Sequence, residues 1–267
     1  MRHQARRIAD QDPLKTNNAQ APSKSLGTPV TTADGSLTMI HPEHGETYHT
    51  QAGAMAEARL LYIESSGLAA LWQEGPQRIA VLDVGLGLGL NAVATLTAWN
   101  EASNPGPLVI HSLEINRDLV EALASGAAPW QERWSPDITH ACLQLKLESP
   151  QHYSATIAHQ STEATATWHI YIRDAAINDV PHPPDASGYT HVWQDPFSPE
   201  KNPPLWEAAW FTRVRATAAP SCVLMTYSVA GPVRRALAAA GWSWKKLPAL
   251  LPGKREWLTA TPRAEAS

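Results

Sequence analysis

A glycine-rich segment in the first half of the chain has residue types and spacing suited to binding a cofactor. It runs Asp-Val-Gly-Leu-Gly-Leu-Gly-Leu-Asn from Asp83 to Asn91 and directly follows the apolar residues 79–82. Glycines at alternate positions let the backbone turn sharply off a strand and approach a ligand that a Cβ atom would push away. The segment therefore predicts a strand, a ligand-binding loop and the start of a helix. The alternative is a strand-to-helix turn with a purely structural role.

The spacing of these glycines discriminates between cofactors. A dinucleotide-binding loop follows G-x-G-x-x-G, which would put the third glycine where this chain has Leu90. The third glycine is instead Gly89, in the D-x-G-x-G-x-G order of enzymes that use S-adenosylmethionine (SAM). The residues of this segment that we expect to bind SAM are Asp83, Gly85, Gly87, Gly89 and Asn91.

Two acidic residues stand at the ends of later predicted strands. Glu114 closes the apolar run 108–114, where an acid can accept hydrogen bonds from both ribose hydroxyls of SAM or of a nicotinamide dinucleotide. Asp174 follows the predicted strand 168–172, where class I methyltransferases place an acid near the adenine amino group. Both acids are expected to bind the cofactor, although either could be a solvated loop residue.

A proline-rich segment carries the second set of candidate residues. Asp-Pro-Phe-Ser-Pro-Glu-Lys-Asn-Pro-Pro-Leu-Trp, from Asp195 to Trp206, follows the predicted strand 189–193 at the edge of the sheet where ligands of open α/β sheets bind. An acid held beside proline and an aromatic ring resembles the loops with which amine methyltransferases hold a nucleophilic nitrogen. We predict that Asp195 and Phe197 are catalytic and that Asp195 also lies beside SAM. A plain proline-rich turn is the alternative.

Strand and helix patterns alternate from position 78 onward, which predicts an α/β fold of the class I SAM-dependent methyltransferase (Rossmann-like) type, with a mostly parallel seven-stranded sheet. The predicted strands are 79–84, 108–114, 168–172, 189–193, 222–227, 242–247 and 256–260, and helices are expected at 91–99 and 117–125. The pattern between 130 and 167 is too weak to assign elements.

Three segments are expected along the chain. Residues 1–30 are polar, contain proline and lack apolar periodicity, which indicates a disordered leader. Residues 31–77 are expected to form a small N-terminal β extension, with a hairpin followed by a helix at 53–67. Residues 78–262 then form the methyltransferase domain.

Charge is unevenly distributed. The chain has a net charge of −4, but the segment from Glu200 onward carries ten Lys and Arg against four Asp and Glu, a net of +6, so the preceding residues carry −10. Such asymmetry permits a polyanion to approach one face, while ordinary solvated surfaces are the alternative. There is no long apolar run and no secretory signal, so a cytoplasmic protein that does not enter membranes is expected. Cys142 and Cys222 lack the spacing of a zinc site, and reduced thiols are expected.

The longer motifs resemble one known family. The run D-P-F-S-P-x-K-N-P-x-L-W from Asp195, the segments 231–242 and 252–256, and the front segments 33–38, 45–49 and 53–54 resemble the methyltransferase half of the bifunctional tRNA-modifying enzyme MnmC and its stand-alone (MnmD-like) relatives. The resemblance covers about residues 31–261. Relatives commonly have Gly-Asp-Ala where this chain has Arg173-Asp174-Ala175, and Asp-Ala or Asp-Gly where it has Asp195-Pro196. These departures concern substrate preference more than methyl transfer.

The resemblance implies a reaction and a partner. The family uses SAM to convert 5-aminomethyl-(2-thio)uridine at the wobble position of tRNA to its 5-methylaminomethyl form, so the anticodon loop of tRNA is the expected partner and aminomethyl-forming enzymes act upstream. Because no residue follows Ser267, a stand-alone form without the flavin-dependent oxidase half is expected, with neither flavin nor metal. Residues expected to contact uracil or tRNA are Tyr48, His49, Lys201, Asn202, Arg234, Arg235, Lys254 and Arg255.

Other functions remain open from the sequence. A SAM-dependent N-methyltransferase acting on a small-molecule amine would need the same cofactor loop and the same Asp195. A non-catalytic SAM-binding or RNA-binding module would explain the loop without turnover. A nicotinamide-dependent oxidoreductase is disfavoured by Leu90 and by the lack of residues suited to hydride transfer.

Overall fold

The computed structural model describes residues 26–264 apart from 127, 133, 186, 252 and 254, so most of the predicted leader lies outside the described residues. The first described elements are strands β1 (Thr28–Thr31) and β2 (Leu37–Ile40), which pair antiparallel. The predicted hairpin therefore exists but begins at Thr28. Asp34 stabilises the turn between the strands because its carboxylate accepts hydrogen bonds from the Thr32 hydroxyl at 2.6 Å and the Ser36 amide at 2.9 Å.

The helix expected at 53–67 is present with two different windings. Helix α1 (Ala54–Glu57) continues without a break into a π-helical segment, Ala58–Glu64, and helix α2 (Leu68–Gln73) follows. The π-helical segment buries Leu61 and Tyr62 against the rest of the protein. The wider winding sets the direction of these side chains, and π-helical turns often occur beside functional sites.

Nine further strands of the described residues form one sheet. Their bounds are β3 (Ile79–Val84), β4 (Leu108–Glu114), β5 (Lys146–Ser149), β6 (His152–Ala158), β7 (Thr165–Ile172), β8 (Tyr189–Gln194), β9 (Ala218–Thr226), β10 (Trp242–Pro248) and β11 (Glu256–Pro262). Their order is β10-β11-β9-β8-β3-β4-β7-β6-β5. The five central strands are parallel, and two antiparallel strands extend each end.

The strand count corrects the predicted seven-stranded sheet. The additional strands β5 and β6 come from the segment that the sequence pattern left unassigned, and both lie at one end of the sheet, where β6 pairs antiparallel with β7 and β5 pairs antiparallel with β6. All residues of β5 are exposed, and β6 buries only Tyr153 and Ala155. Edge strands with so little buried surface lack the apolar run that marks a central strand.

Helices cover both faces of the sheet. Helices α1 and α2, together with α3 (Leu90–Glu101), α4 (Arg117–Ser125) and α5 (Pro136–Leu143), pack on one face, and α6 (Ala208–Ala216) and α7 (Gly231–Ala239) pack on the other. Large indoles fill both cores, as with Trp193 on the first side and Trp210 on the second. Cys142 and Cys222 are buried free thiols, as predicted.

The strand order places a crevice at the middle of the sheet. Strand β3 lies between β4 and β8, and the chain moves from β3 to β4 on one side before it later returns to β8 on the other. Ligands of doubly wound sheets bind where the strand order reverses in this way, beyond the carboxyl ends of the strands. The glycine loop follows β3 and the proline-rich segment follows β8, so both meet there. None of the helices in the described part of the chain has the length and apolar character needed to span a membrane.

Candidate active site

A cavity of about 890 Å³ opens at the carboxyl ends of β3, β4 and β8. Its floor is made by the glycine loop and by the residues that follow β8, and one wall comes from the N-terminal extension, residues 41–51. The predicted site residues that line it are Tyr48, His49, Gly85, Gly87, Glu114, Asp174, Asp195, Phe197, Lys201 and Asn202. The structure therefore brings both predicted motifs into one site.

The glycine loop lies too close to its neighbours for other residues. Gly85 has φ +82°, and a Cβ atom there would come within 2.9 Å of the Asp195 carbonyl oxygen and of the Pro196 Cα. Gly87 has φ +52°, and its Cβ would lie 3.0 Å from the Tyr48 ring. Because the positive φ values and the close backbone contact both exclude a side chain, the loop presents bare backbone to the cavity.

Glu114 fixes this loop from the neighbouring strand. One of its carboxylate oxygens accepts a hydrogen bond from the Gly87 amide at 2.8 Å, and the other accepts from the Ile115 and Asn116 amides at 2.9 Å and 2.8 Å. Burial raises the pKa of Glu114, while these backbone hydrogen bonds act in the opposite direction. The carboxylate lines the cavity, where its remaining lone pairs can accept from ligand hydroxyls.

Asp195 is the acid at the floor of the cavity beside the glycine loop. The Asn91 side-chain amide donates a hydrogen bond to its carboxylate at 2.7 Å. Burial raises the pKa of Asp195 to about 8, and the negative charges of Glu57 and Asp83 raise it as well, whereas the Asn91 hydrogen bond lowers it. Burial raises the pKa of the nearby Tyr62 well above its usual range, and the charge of Asp195 raises it further. This carboxyl group is therefore far more basic than an exposed aspartate.

Three residues that were predicted to bind SAM do not line the cavity. Asp83 is fully buried beneath the loop, where it accepts a hydrogen bond from the Ser112 hydroxyl at 2.8 Å, and burial raises its pKa to about 7. Gly89 is the residue before α3 and packs against Leu123. Asn91 reaches the site through Asp195. In this structure none of the three lines the cavity.

An aromatic cluster forms another part of the cavity wall. The ring of Phe197 lies 5.0 Å from the ring of Tyr48, centroid to centroid, and 4.9 Å and 4.8 Å from those of His41 and His44. The two imidazoles stack at 4.3 Å. Tyr48 and Phe197 were predicted from the sequence, but His41 and His44 were missed because no local signal indicates that they approach Phe197. The other rings are inclined to that of Phe197 by 58–73°, so the cluster presents both ring faces and ring edges, against which a planar ring can pack.

Two side chains hold the proline-rich segment in place. The Ser198 hydroxyl donates a hydrogen bond to Glu46 at 2.8 Å, which joins this segment to the N-terminal extension. The Tyr227 hydroxyl donates to the Pro196 carbonyl oxygen at 3.0 Å and also lines the cavity. Sequence reasoning missed both Glu46 and Tyr227. Tyr227 directly follows β9, and its position at the carboxyl end of a central strand was the available signal.

The remaining predicted residues fall in different places. Asp174 lines the cavity and accepts a hydrogen bond from the Ala176 amide at 2.9 Å. Burial lowers the pKa of His49 to about 4, so its imidazole is neutral at pH 7. Arg234 and Arg235 line a separate hollow between α7 and β10, and Arg255 is exposed. Lys254 lies outside the described residues.

The sequence of the chain is similar to those of known proteins. Residues 138–263 match a family described as S-adenosyl-L-methionine-dependent methyltransferase. The chain is 32% identical over 223 residues to the tRNA 5-methylaminomethyl-2-thiouridine biosynthesis bifunctional protein MnmC of Aromatoleum aromaticum, covering 79% of this chain and 32% of that protein. It is 31% identical to MnmC of Azoarcus sp. (strain BH72), covering 87% and 34%. The chain thus spans about a third of the length of these curated relatives.

A solved structure supports the fold. The crystal structure of MnmC2 from Aquifex aeolicus superposes with a TM-score of 0.64 at 24% sequence identity, covering 92% of this chain and 74% of that one. The chain therefore has the fold of the class I SAM-dependent methyltransferases and is related in sequence to the MnmC proteins.

Proposed function

We propose that this protein is a SAM-dependent methyltransferase that methylates the amine of 5-aminomethyl-(2-thio)uridine at the wobble position of tRNA. The observation that carries the proposal is the position of Asp195. Its buried carboxyl group, held by Asn91, lies between a loop suited to SAM and an aromatic wall suited to a pyrimidine ring. The sequence similarity of the chain to MnmC proteins indicates which amine is methylated.

The residues of the cavity fit SAM. The loop at Gly85 and Gly87 lines the cavity with backbone atoms, because positive φ values and close packing against the Asp195 segment and Tyr48 exclude side chains there. In this proposal Glu114 accepts hydrogen bonds from the ribose hydroxyls, and Asp174 lies near the adenine amino group. When bound, SAM supplies a methyl group on a positively charged sulfur. The proposed reaction requires neither a flavin nor a metal ion.

The environment of Asp195 lowers the cost of deprotonating the substrate amine. An alkylammonium group has a pKa of about 10, and it must lose a proton before its nitrogen can attack a methyl group. Moving that proton to an ordinary aspartate, with a pKa of about 4, costs roughly 8 kcal/mol. Because burial raises the pKa of Asp195 to about 8, the cost falls to roughly 3 kcal/mol. Asp195 therefore accepts a proton from the amine nitrogen and orients that nitrogen through an N–H hydrogen bond.

The other parts of the site would hold the nucleoside and the RNA. Phe197 and Tyr48 would stack against the uracil ring, and a wobble base is exposed at low cost because it lies in a loop. Lys201, at the rim of the cavity, and the arginines of the C-terminal region would contact phosphates. In this arrangement residues 78–262 form the methyltransferase domain and residues 31–77 supply one wall of its cavity. We also propose that the protein acts in the cytoplasm, where tRNA is modified.

The test is methyl transfer to tRNA. The purified protein is incubated with labelled SAM and bulk tRNA from a strain that lacks this methylation, and the tRNA is digested to identify the labelled nucleoside. Label on 5-methylaminomethyl-(2-thio)uridine is expected. Asp195→Asn should keep its affinity for SAM and lose turnover, while Asp137→Asn, on an exposed face of α5, should keep both.

Two results would overturn the proposal. Unchanged turnover in Asp195→Asn would refute the role of this carboxylate. SAM binding without label in tRNA would favour a small-molecule amine as the acceptor, or a non-catalytic module.

A further inference from the structure

A second hollow lies between α7 and β10, outside the cavity. It has a volume of about 250 Å³ and is lined by Gly231, Arg234, Arg235, Ala238 and Trp244. The Arg234 guanidinium lies over the Trp244 indole, 5.0 Å from its centre. Trp244 is 36% exposed, in contrast to the fully buried Trp242 two residues earlier on the same strand. An exposed indole beside two arginines is unusual for a residue that only fills a core.

The positive charge around this hollow has little compensation. Neither α7 nor β10 contains an acidic residue. Lys246 forms an ion pair with Glu256 at 2.6 Å, but Arg234, Arg235 and Lys245 form no ion pair with any residue that the structure describes. The Nε of Arg234 is buried and has no hydrogen-bond acceptor among the described residues. The surface therefore favours an anionic ligand.

The hollow lies close to the cavity. Gly231 lines the hollow and Tyr227 lines the cavity, and a connection of four residues spans at most about 14 Å. The pairing of the strands also places the hollow near the cavity. Lys246 of β10 pairs with Leu258 of β11, which in turn pairs with Thr226 at the carboxyl end of β9. The carboxyl end of β10 therefore lies at the edge of the sheet that carries Asp195. Three strand spacings separate β10 from β8, or about 14 Å.

We infer that this hollow binds a nucleotide of the same RNA strand that places its uridine in the cavity, with the base stacked on Trp244 and the phosphate held by Arg235 and Arg234. The inference rests on the proposed function and adds a second contact to it. Aromatic side chains beside basic residues bind unpaired nucleotides, because every base has a face that can stack. The nucleotides next to a wobble base are unpaired, whereas a duplex would keep its bases stacked inside.

The experiment measures RNA binding separately from methyl transfer. A fluorescently labelled RNA hairpin with the length and loop size of an anticodon stem-loop, carrying an unmodified uridine, is titrated with the full chain, and the dissociation constant is read from anisotropy. Trp244→Ala should weaken binding by about 5-fold to 150-fold, the range for loss of one stacked base, and Trp244→Phe should recover most of it. Arg235→Gln should reduce the slope of log affinity against log salt by about one.

Strand β5, the outermost strand at the end of the sheet far from β10, supplies matched controls. Leu147→Ala and Lys146→Gln remove an exposed apolar and an exposed basic side chain from β5, and both should bind RNA as the unaltered protein does. In the methyl-transfer assay, Trp244→Ala should raise KM for tRNA more than it lowers kcat. A variant with unchanged RNA affinity and unchanged KM would overturn the inference and leave the proposed function intact. If the unaltered protein bound no RNA, both would be refuted.

Discussion

Replacing Asn91 with alanine removes a hydrogen bond that stabilises the charged form of Asp195. The Asn91 amide donates to the carboxylate at 2.7 Å and lowers a pKa that burial has raised to about 8. A hydrogen bond to a charged group contributes about 1.5–3 kcal/mol, and one pKa unit corresponds to about 1.4 kcal/mol. The Asn91→Ala variant should therefore have a pKa at Asp195 that is about 1–2 units higher.

This shift predicts a pH-dependent loss of activity. At pH 7, below both pKa values, the ionised fraction of Asp195 should fall by about 10-fold to 100-fold in Asn91→Ala, and kcat/KM should fall with it. The deficit should shrink as pH rises towards about 10, because the carboxyl then ionises in both proteins. The amine of the substrate titrates identically with either protein. The pH dependence of the ratio of variant to unaltered kcat/KM therefore reports the ionisation of Asp195 alone.

The assay is methyl transfer at subsaturating tRNA, measured between about pH 6.5 and 9.5. Asn100→Ala is the matched control, since it removes the same type of residue from the same helix and Asn100 does not line the cavity. Its ratio should stay close to one at every pH. A deficit in Asn91→Ala that is the same at all pH values would refute the reasoning, because simple disruption of packing would produce that result.

Two further predictions concern stability. Burial raises the pKa of Asp83 from 3.8 to about 7. The contribution of the protonated carboxyl group to the free energy of unfolding is therefore fully present below about pH 4 and is lost as pH rises to about 7. Asp83→Asn should therefore gain thermal stability relative to the unaltered protein between about pH 5 and 8, by at most roughly 4 kcal/mol, and a difference in Tm that does not change with pH would contradict this assignment. Gly85→Ala should lower Tm well beyond Gly67→Ala, because the two glycines have φ +82° and +81° but only Gly85 has backbone atoms within 3 Å of the added methyl group. Equal losses would show that the close approach of Gly85 to the Asp195 segment has no energetic effect.

The parts of the fold that the sequence predicted are those with local signals. The largely apolar runs of β3 and β4 gave their bounds correctly, because strands buried on both faces are nearly continuous in apolar residues and do not alternate with polar ones. The glycine loop was found because alternate glycines have few uses other than a tight backbone approach. Its closeness to Asp195 followed from topology, since the carboxyl ends of neighbouring parallel strands meet at one edge of the sheet.

The parts that were missed depend on contacts between distant segments. Strand β5 is fully exposed and carries no pattern that separates it from a loop. His41 and His44 become site residues only because the N-terminal extension folds over the cavity and meets Phe197. Asp83 belongs to the motif and is predicted to bind SAM; in the structure it is fully buried and accepts a hydrogen bond from the Ser112 hydroxyl on β4, a contact that the motif does not indicate.

The hydrogen bond between Ser198 and Glu46 joins residues that are 152 positions apart. A contact of such high contact order forms only after most of the intervening chain has been ordered, since closing so long a loop carries an entropic cost that early contacts cannot offset. The wall of the cavity should therefore be among the last parts to assemble and among the first to open. Amide hydrogen exchange in residues 41–49 would then proceed by local opening, well before the central strands exchange, and ligand binding would slow exchange most strongly in this segment.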